Sequence, residues 1–307
     1  MPRPRADEMP APKPRDAVAI AGPLGIIAGR GPLPCVLADS AEARGLPLHI
    51  VGIRGETREE IERFPHTWTR WGELGKLLAA LDDHGCRDIV IIGGVDRPDF
   101  TKMRFDFGAI RNLPYIAGLR SGGDDPVLSR VVRFFEGKGY RVHGADDVAP
   151  ELLAGVGPLG DKVPSAEDSA DIDMAFQVVR ALGRFDVGQA AVVANGHVLA
   201  VEAAEGTDAM LLRCAELRRT GRAGRSGRGV IVKAPKPGQE RRVDLPTIGA
   251  ETLNKAAEAG LAGVAVAAGR VLMAEPAATV AAANKLGLFL VGHTLADDAK
   301  GDATKPG

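Results

Sequence analysis

A group of cations beside a single acid is the feature of this sequence best suited to chemistry. In "KAPKPGQERRVDLPTIG", residues 233–249, the polar candidates are Lys233, Lys236, Gln239, Asp244 and Thr247. Phosphoryl transfer needs this mixture, because cations neutralise the charge spread over phosphate oxygens and a carboxylate holds Mg²⁺ or the attacking water. The stretch therefore indicates an anion site with one metal-binding or water-positioning acid.

The same stretch also has an ordinary structural explanation. Pro246 suits the first position of a helix that starts near Thr247, which would make Asp244 an acid at the start of that helix. The cations would then belong to a solvated basic loop. The spacing alone leaves both interpretations open.

A second group of candidates lies in "VEAAEGTDAMLLR", residues 201–213, where a strand is expected to end and a helix to begin. Its polar members are Glu202, Glu205, Gly206, Thr207, Asp208 and Arg213. We favour Thr207 as the N-cap of this helix, with the acids near its positive end. The alternative places a phosphate there, with Thr207 and Arg213 as donors and a metal that bridges the acids and the phosphate.

Two further stretches lie in the first half of the chain. Gly29 and Gly31 in "GIIAGRGPLP" separate a strand from a helix, where free backbone N–H groups bind a nucleotide phosphate or simply form a tight turn. Asp124 in "SGGDDPVLS" is a candidate ligand for Mg²⁺ or a ribose. Its neighbour Asp125 is better explained as the cap of a helix whose first residue is Pro126.

The elements that must position these residues alternate along the chain. Apolar strands alternate with amphipathic helices up to about residue 150, which predicts a Rossmann-like parallel-sheet N-terminal domain of the α/β class. An Asn-Gly hairpin signal then introduces a second α/β domain of mixed topology. The predicted divisions are a disordered tail (1–20), the Rossmann-like N-terminal domain (21–153), a linker (154–171), the C-terminal catalytic domain (172–295) and a second disordered tail (296–307).

Composition excludes several functional classes. The formal net charge of −1 and the scarcity of aromatic residues, with 2 Trp and 2 Tyr, argue against nucleic acid as a partner. The three cysteines are far apart, so a disulfide framework is not expected. The N-terminus lacks the apolar core of a signal peptide, and no apolar run is long enough for a membrane helix. We therefore expect a cytoplasmic protein.

Six stretches occur in an order that resembles one known family. They are "LGIIAGRGPLP", "GGDD", "VEAAEGTDAML", "GVIVKAPKPGQERRVDLPTIG", "GLAGVAVAAG" and "GLFLVG", and they are spread over residues 24–292. The chain resembles the UDP-2,3-diacylglucosamine pyrophosphatases of lipid A biosynthesis that are not calcineurin-like. The resemblance implies Mg²⁺-dependent hydrolysis to UMP and 2,3-diacylglucosamine 1-phosphate (lipid X), by water attack on the sugar-proximal phosphorus, in a homodimer.

The resemblance also implies roles for single residues. Asp244 matches the family's essential acid and is an expected Mg²⁺ ligand, together with Glu202. Lys233 and Thr207 are the other expected catalytic residues. The expected substrate-binding residues are Gly29, Gly31, Asp124, Glu205, Gly206, Asp208, Arg213, Lys236, Gln239 and Thr247. Because the substrate is a membrane lipid, peripheral contact with the inner membrane is compatible with this function, although no basic amphipathic helix requires it.

Two other functions compete with this one. A non-catalytic nucleotide-sugar binding or regulatory protein would keep the Rossmann-like half and use Asp244 only as a helix-start acid. A nicotinamide-dependent oxidoreductase would also fit the first domain, but the chain lacks Gly-x-Gly-x-x-Gly at the first strand-to-helix turn.

Overall fold

The computed structural model describes residue 20 and residues 22–95, 105–112, 124–222 and 228–295. The predicted tails, 1–20 and 296–307, lie outside the described residues apart from residue 20. The described chain divides into two compact units. The N-terminal unit runs to Pro150 and also includes Gln239–Leu245, whereas the C-terminal unit holds Glu151–Gly238 and the chain from Pro246 onward.

Parallel strands form the sheet of the N-terminal unit. Its strands are β1 (Leu24–Ala28), β2 (Leu48–Ile53), β3 (His66–Thr69), β4 (Asp88–Ile92) and β5 (Arg141–His143). Among the described residues they form one five-stranded sheet in the order β3-β2-β1-β4-β5, with every neighbouring pair parallel. The strand order reverses between β1 and β4, as it does in a Rossmann fold. The predicted Rossmann-like domain is confirmed.

Helices connect these strands and cover the sheet. They are α1 (Leu33–Ala43), α2 (Leu74–Asp83), α3 (Phe107–Arg111), α4 (Asp124–Gly137) and α5 (Ala145–Val148), with a short 3₁₀ helix at Glu59–Arg63. Strands β1 and β2 are buried along their whole length, so their sequences are mainly apolar rather than alternating, and His49 is the polar exception in β2. Helix α4 already includes Asp124, two residues before its predicted first residue, Pro126.

A mixed sheet forms the core of the C-terminal unit. Its strands are β6 (Gly157–Pro158), β7 (Ala190–Ala194), β8 (His197–Val201), β9 (Val230–Lys233), β11 (Gly263–Ala267) and β13 (Phe289–His293). The order in this six-stranded sheet is β6-β13-β11-β9-β7-β8. Strands β9, β11 and β13 are parallel, whereas β6 and β7 pair antiparallel with their neighbours. The predicted mixed topology is confirmed.

The remaining elements of this unit surround that sheet. A separate parallel pair consists of β10 (Thr247–Ile248) and β12 (Leu272–Met273), and the helices are α6 (Ala166–Gly183), α7 (Gly206–Arg219), α8 (Ala250–Glu258) and α9 (Pro276–Leu286). The predicted Asn-Gly hairpin is present between β7 and β8, with φ of 52° at Asn195 and 71° at Gly196. Within the described part of the chain, no helix is long and apolar enough to cross a membrane.

Candidate active site

One edge of the C-terminal sheet gathers most of the predicted site residues. Strand β7 is antiparallel to both β8 and β9, so it begins where they end: Ala190 lies opposite Lys233, and Ala191 lies opposite Val201. The residue after β8 is Glu202, and the last residue of β9 is Lys233. The sheet therefore brings the two candidate motifs, which are about thirty residues apart in sequence, to the same edge.

The carboxylate of Glu202 accepts hydrogen bonds close to the N-terminus of helix α7. Glu202 is buried, with 7% exposure, and its Oε1 accepts a hydrogen bond from the Thr207 hydroxyl at 2.9 Å. Its Oε2 accepts one from the Gln189 backbone N–H at 3.2 Å. The prediction that Thr207 is the N-cap is wrong: the N-cap position belongs to Glu205. The Thr207 hydroxyl acts instead as a donor to a buried carboxylate, a strong acceptor.

An exposed ion pair lies at the N-terminus of helix α7. Glu205 Oε1 accepts a hydrogen bond from Arg213 Nη2 at 2.7 Å, and the same nitrogen donates to the Val201 carbonyl oxygen at 2.8 Å. A hydrogen bond from its own backbone N–H, helped by Arg213, lowers the pKa of Glu205 below its usual range. Gly206 has φ of 80°, a conformation that favours glycine. These residues fix the turn that leads into helix α7, of which Thr207 is the second residue.

Asp208 lies in a different ion pair. Its Oδ2 is 2.5 Å from Lys255 Nζ on helix α8, and more than half of its side chain is exposed. Lys255 also pairs with Glu251 at 2.6 Å. The structure thus places Asp208 in a bridge between two helices, and Asp208 stays a predicted substrate-binding residue.

Two lysines of the opening stretch are buried near the sheet edge. Lys233 is 7% exposed, and its Nζ donates a hydrogen bond to the Thr247 carbonyl oxygen at 2.9 Å. Lys236 is 9% exposed, and its Nζ makes an ion pair with Asp186. Buried ammonium groups are costly unless they are paired. Lys236 has the Asp186 carboxylate as a partner, whereas the described bond of Lys233 goes to an uncharged carbonyl.

Asp244 lies in the N-terminal unit together with Gln239. The side-chain amide of Gln239 is buried and donates a hydrogen bond to Asp244 Oδ2. The segment 239–245 belongs to this unit, where Arg242 pairs with Glu136 of α4 at 2.6 Å. Arg242 also pairs within the segment, with Glu240 at 2.8 Å. The predicted site residues are therefore divided between the two units, with Lys233, Lys236 and Thr247 in the C-terminal one.

The prediction of a helix from Thr247 is wrong. Thr247–Ile248 form β10 and pair with Leu272–Met273, so the helix begins only at Ala250. Asp244 lies in an irregular segment after a turn and is not a helix-start acid. The explanation of Asp244 as a helix-start acid is therefore wrong, and its chemical role stays a prediction.

The glycine-rich turn after β1 packs tightly against the end of β4. A Cβ atom on Gly29 would lie 2.5 Å from the Gly94 carbonyl oxygen and 2.8 Å from the Gly93 carbonyl carbon. Gly31 has φ of 90° with open space around it. The turn lies where the strand order reverses, the place at which such sheets bind ligands. Gly29 thus has a packing role, and Gly31 stays a candidate for nucleotide contact. The side chain of Asp124 lies outside the described residues.

Sequence reasoning missed the connection between α6 and β7. Asp186, Gly188 and Gln189 contact Lys236 or Glu202, yet no spacing pattern marks them. The available signal is an acid in "GRFDVGQ", between two glycines at a helix-to-strand step. The two glycines of this stretch indicate that the backbone approaches another segment closely.

Comparison with known proteins identifies the family. The model of the LpxI N-terminal domain matches residues 23–152, and that of the LpxI C-terminal domain matches residues 155–291. The chain is 46% identical to the UDP-2,3-diacylglucosamine pyrophosphatase LpxI of Caulobacter vibrioides over 271 residues, which cover 88% of this chain and 96% of that protein. With both domain models matched in order and such a relative along nearly its whole length, the chain belongs to the LpxI family.

Proposed function

We propose that this chain hydrolyses the pyrophosphate bond of UDP-2,3-diacylglucosamine and releases UMP and 2,3-diacylglucosamine 1-phosphate (lipid X) in lipid A biosynthesis. The observation that carries the proposal is the 46% identity to the Caulobacter pyrophosphatase over 96% of that protein. The buried cations Lys233 and Lys236 at one sheet edge support it, because a diphosphate is stabilised by fixed positive charge.

The chain's own residues would divide the work as follows. Lys233 and Lys236 bind the diphosphate and oppose the negative charge that develops on its oxygens. Asp244 orients the water that attacks the sugar-proximal phosphorus, and Gln239 fixes the orientation of that carboxylate. Thr207 donates a hydrogen bond to a phosphate oxygen once its hydroxyl turns from Glu202, and UMP is the leaving group.

We propose Mg²⁺ as the cofactor, with Asp244 as its protein ligand. Among the described residues no group of three or more His, Cys, Asp and Glu side chains is arranged to hold a metal. Mg²⁺ does not need such a group, because it is commonly held by one or two carboxylates, substrate phosphates and water. Glu202 stays the other predicted ligand, since each of its oxygens accepts one hydrogen bond and keeps a further lone pair. When bound, Mg²⁺ would neutralise phosphate charge.

The family resemblance further suggests a homodimer and peripheral contact with the inner membrane, where the lipid substrate resides. Light scattering of the purified chain would give its mass in solution. Sedimentation with anionic vesicles at low and high salt would report membrane contact that depends on charge.

The deciding experiment is UMP release from UDP-2,3-diacylglucosamine by the wild type with Mg²⁺, by the wild type with EDTA, and by Asp244→Ala. We expect release with Mg²⁺ only, and a loss of about 10²–10³ in rate in the variant. Release in EDTA would reject the metal requirement. Equal release by Asp244→Ala would move the essential acid elsewhere. No release by the wild type would favour the alternative, a nucleotide-sugar binding or regulatory protein.

A further inference from the structure

The connection between α6 and β7 contains a residue in an unusual conformation. Asp186 has φ of 56°, in the left-handed region that residues other than glycine rarely occupy, although asparagine and aspartate do so more often than most. Such conformations cost free energy and persist only where surrounding contacts enforce them. Asp186 makes an ion pair with Lys236, whose side chain is 8% exposed against 26% for Asp186.

The same connection packs closely against the chain around Lys236. A Cβ atom on Gly183, the last residue of α6, would lie 2.7 Å from Pro237 Cδ and 3.4 Å from Lys236 Cβ. The Ala234 backbone N–H donates to the Gln189 carbonyl oxygen at 2.9 Å. Both ends of the connection therefore touch the segment that follows β9.

The connection also packs against Glu202, in the candidate stretch of residues 201–213. A Cβ atom on Gly188 would lie 2.1 Å from the Glu202 carbonyl oxygen, so only glycine fits there. The Gln189 backbone N–H donates to Glu202 Oε2 at 3.2 Å. One short loop thus contacts the residues before Thr207 and the segment that carries Lys236, although neither motif includes it.

We propose that Asp186 is a positioning residue for Lys236 in the pyrophosphatase reaction. Loss of the Asp186 carboxylate would remove a charge that offsets the buried Lys236 ammonium, and the long lysine side chain would turn that ammonium toward water. Asp186 opposes this and keeps the ammonium at the sheet edge, where the diphosphate is held. The inference rests on the proposed function of this site, and it extends the site to a residue outside the family motifs.

The activity test compares Asp186→Asn with Asp173→Asn. Asparagine tolerates the left-handed conformation, so the first variant removes charge with little change of backbone. Asp173 is a matched control, because it lies on α6, is 63% exposed and faces His293 at 3.6 Å. We expect kcat/KM to fall about tenfold or more in Asp186→Asn. We expect no further loss when it is combined with Lys236→Gln, since a residue that acts through Lys236 adds nothing once Lys236 is gone.

A second readout does not depend on turnover. Lysine acetylation with a water-soluble reagent, followed by peptide mass spectrometry, measures the reactivity of Lys236. We expect labelling of Lys236 to rise at least about threefold in Asp186→Asn and to stay unchanged in Asp173→Asn. Unchanged labelling would overturn the positioning role whether or not the enzyme is active. Wild-type kcat/KM in Asp186→Asn would overturn it while the proposed function stands. Inactive wild type with raised labelling would reject the proposed function and retain the Asp186–Lys236 relationship.

Discussion

The Lys233 ammonium donates a hydrogen bond to the Thr247 carbonyl oxygen at 2.9 Å, and so joins the end of β9 to β10. The segment between Lys233 and Thr247 carries Lys236, Gln239 and Asp244. Its two ends are fixed in the C-terminal unit, whereas 239–245 belongs to the N-terminal unit. Lys233 therefore has a structural bond and, by its burial and charge, a proposed catalytic role.

Replacing Lys233 separates these two roles. In Lys233→Gln we expect the rate of UMP release to fall by about 10²–10³, because a buried cation that opposes phosphate charge is lost. The free energy of unfolding should fall by only about 1–3 kcal/mol, the cost of one altered buried hydrogen bond. Steady-state kinetics and urea denaturation measure the two effects.

Lys162→Gln is the matched control for this variant. Lys162 Nζ also donates to a backbone carbonyl, that of Gly287, at 2.7 Å, but Lys162 is exposed and is not a predicted site residue. We expect full activity with a similar or smaller loss of stability. If both lysine variants lose stability alike and both keep full activity, Lys233 is a structural residue only.

The sequence predicts the fold of this chain well, because the signals that mark its strands are local and mutually consistent. The continuous apolar runs at β1 and β4 indicate strands buried on both faces, and Asn195-Gly196 sets the hairpin between β7 and β8. The errors arise where distant pairing overrides a local signal. Pro246 favours a helix start, but pairing of β10 with β12 holds the following residues extended.

The candidate site was predictable only in part. Motif residues such as Lys233 and Glu202 lie at the same edge of the sheet because three strands end or begin there. The pattern of strands along the sequence does not predict that order. The contact of Asp186 with Lys236 joins residues fifty positions apart in the sequence. Such a contact depends on the tertiary course of a loop, for which propensity and periodicity carry no information.

Gly29 is expected to be required for stability. A Cβ atom there would overlap the Gly93–Gly94 backbone, which cannot turn aside as a flexible side chain would. We expect Gly29→Ala to lower the free energy of unfolding by about 1–3 kcal/mol. Gly137→Ala, at an exposed position at the end of α4 with no atom near the added Cβ, should be nearly neutral. Thermal unfolding of both variants tests this, and equal midpoints would mean that the turn after β1 adjusts freely.

Because of the stacked pair of His49 and His84, we expect the free energy of unfolding to fall in mild acid. Their rings stack with centroids 3.6 Å apart and an angle of 16° between their planes, and His49 is 3% exposed. Burial, followed by the nearby charges of His84 and His66, lowers the pKa of His49 from 6.5 to about 4. Its Nδ1 has no hydrogen-bond partner among the described residues, so nothing offsets a proton there.

The sign of the effect follows from the direction of that shift. Above pH 6.5 His49 is neutral in both the folded and the unfolded chain, and its contribution to stability is complete. As the pH falls from 6.5 toward 4, the unfolded chain binds a proton that the folded chain does not bind. The free energy of unfolding therefore falls by up to about 1.4 kcal/mol per pH unit.

Urea denaturation at several pH values measures this slope. We expect His49→Gln to reduce it and His197→Gln, which removes an exposed histidine, to leave it unchanged. A wild-type slope retained in His49→Gln would assign the acid sensitivity to other groups, such as the buried Asp88.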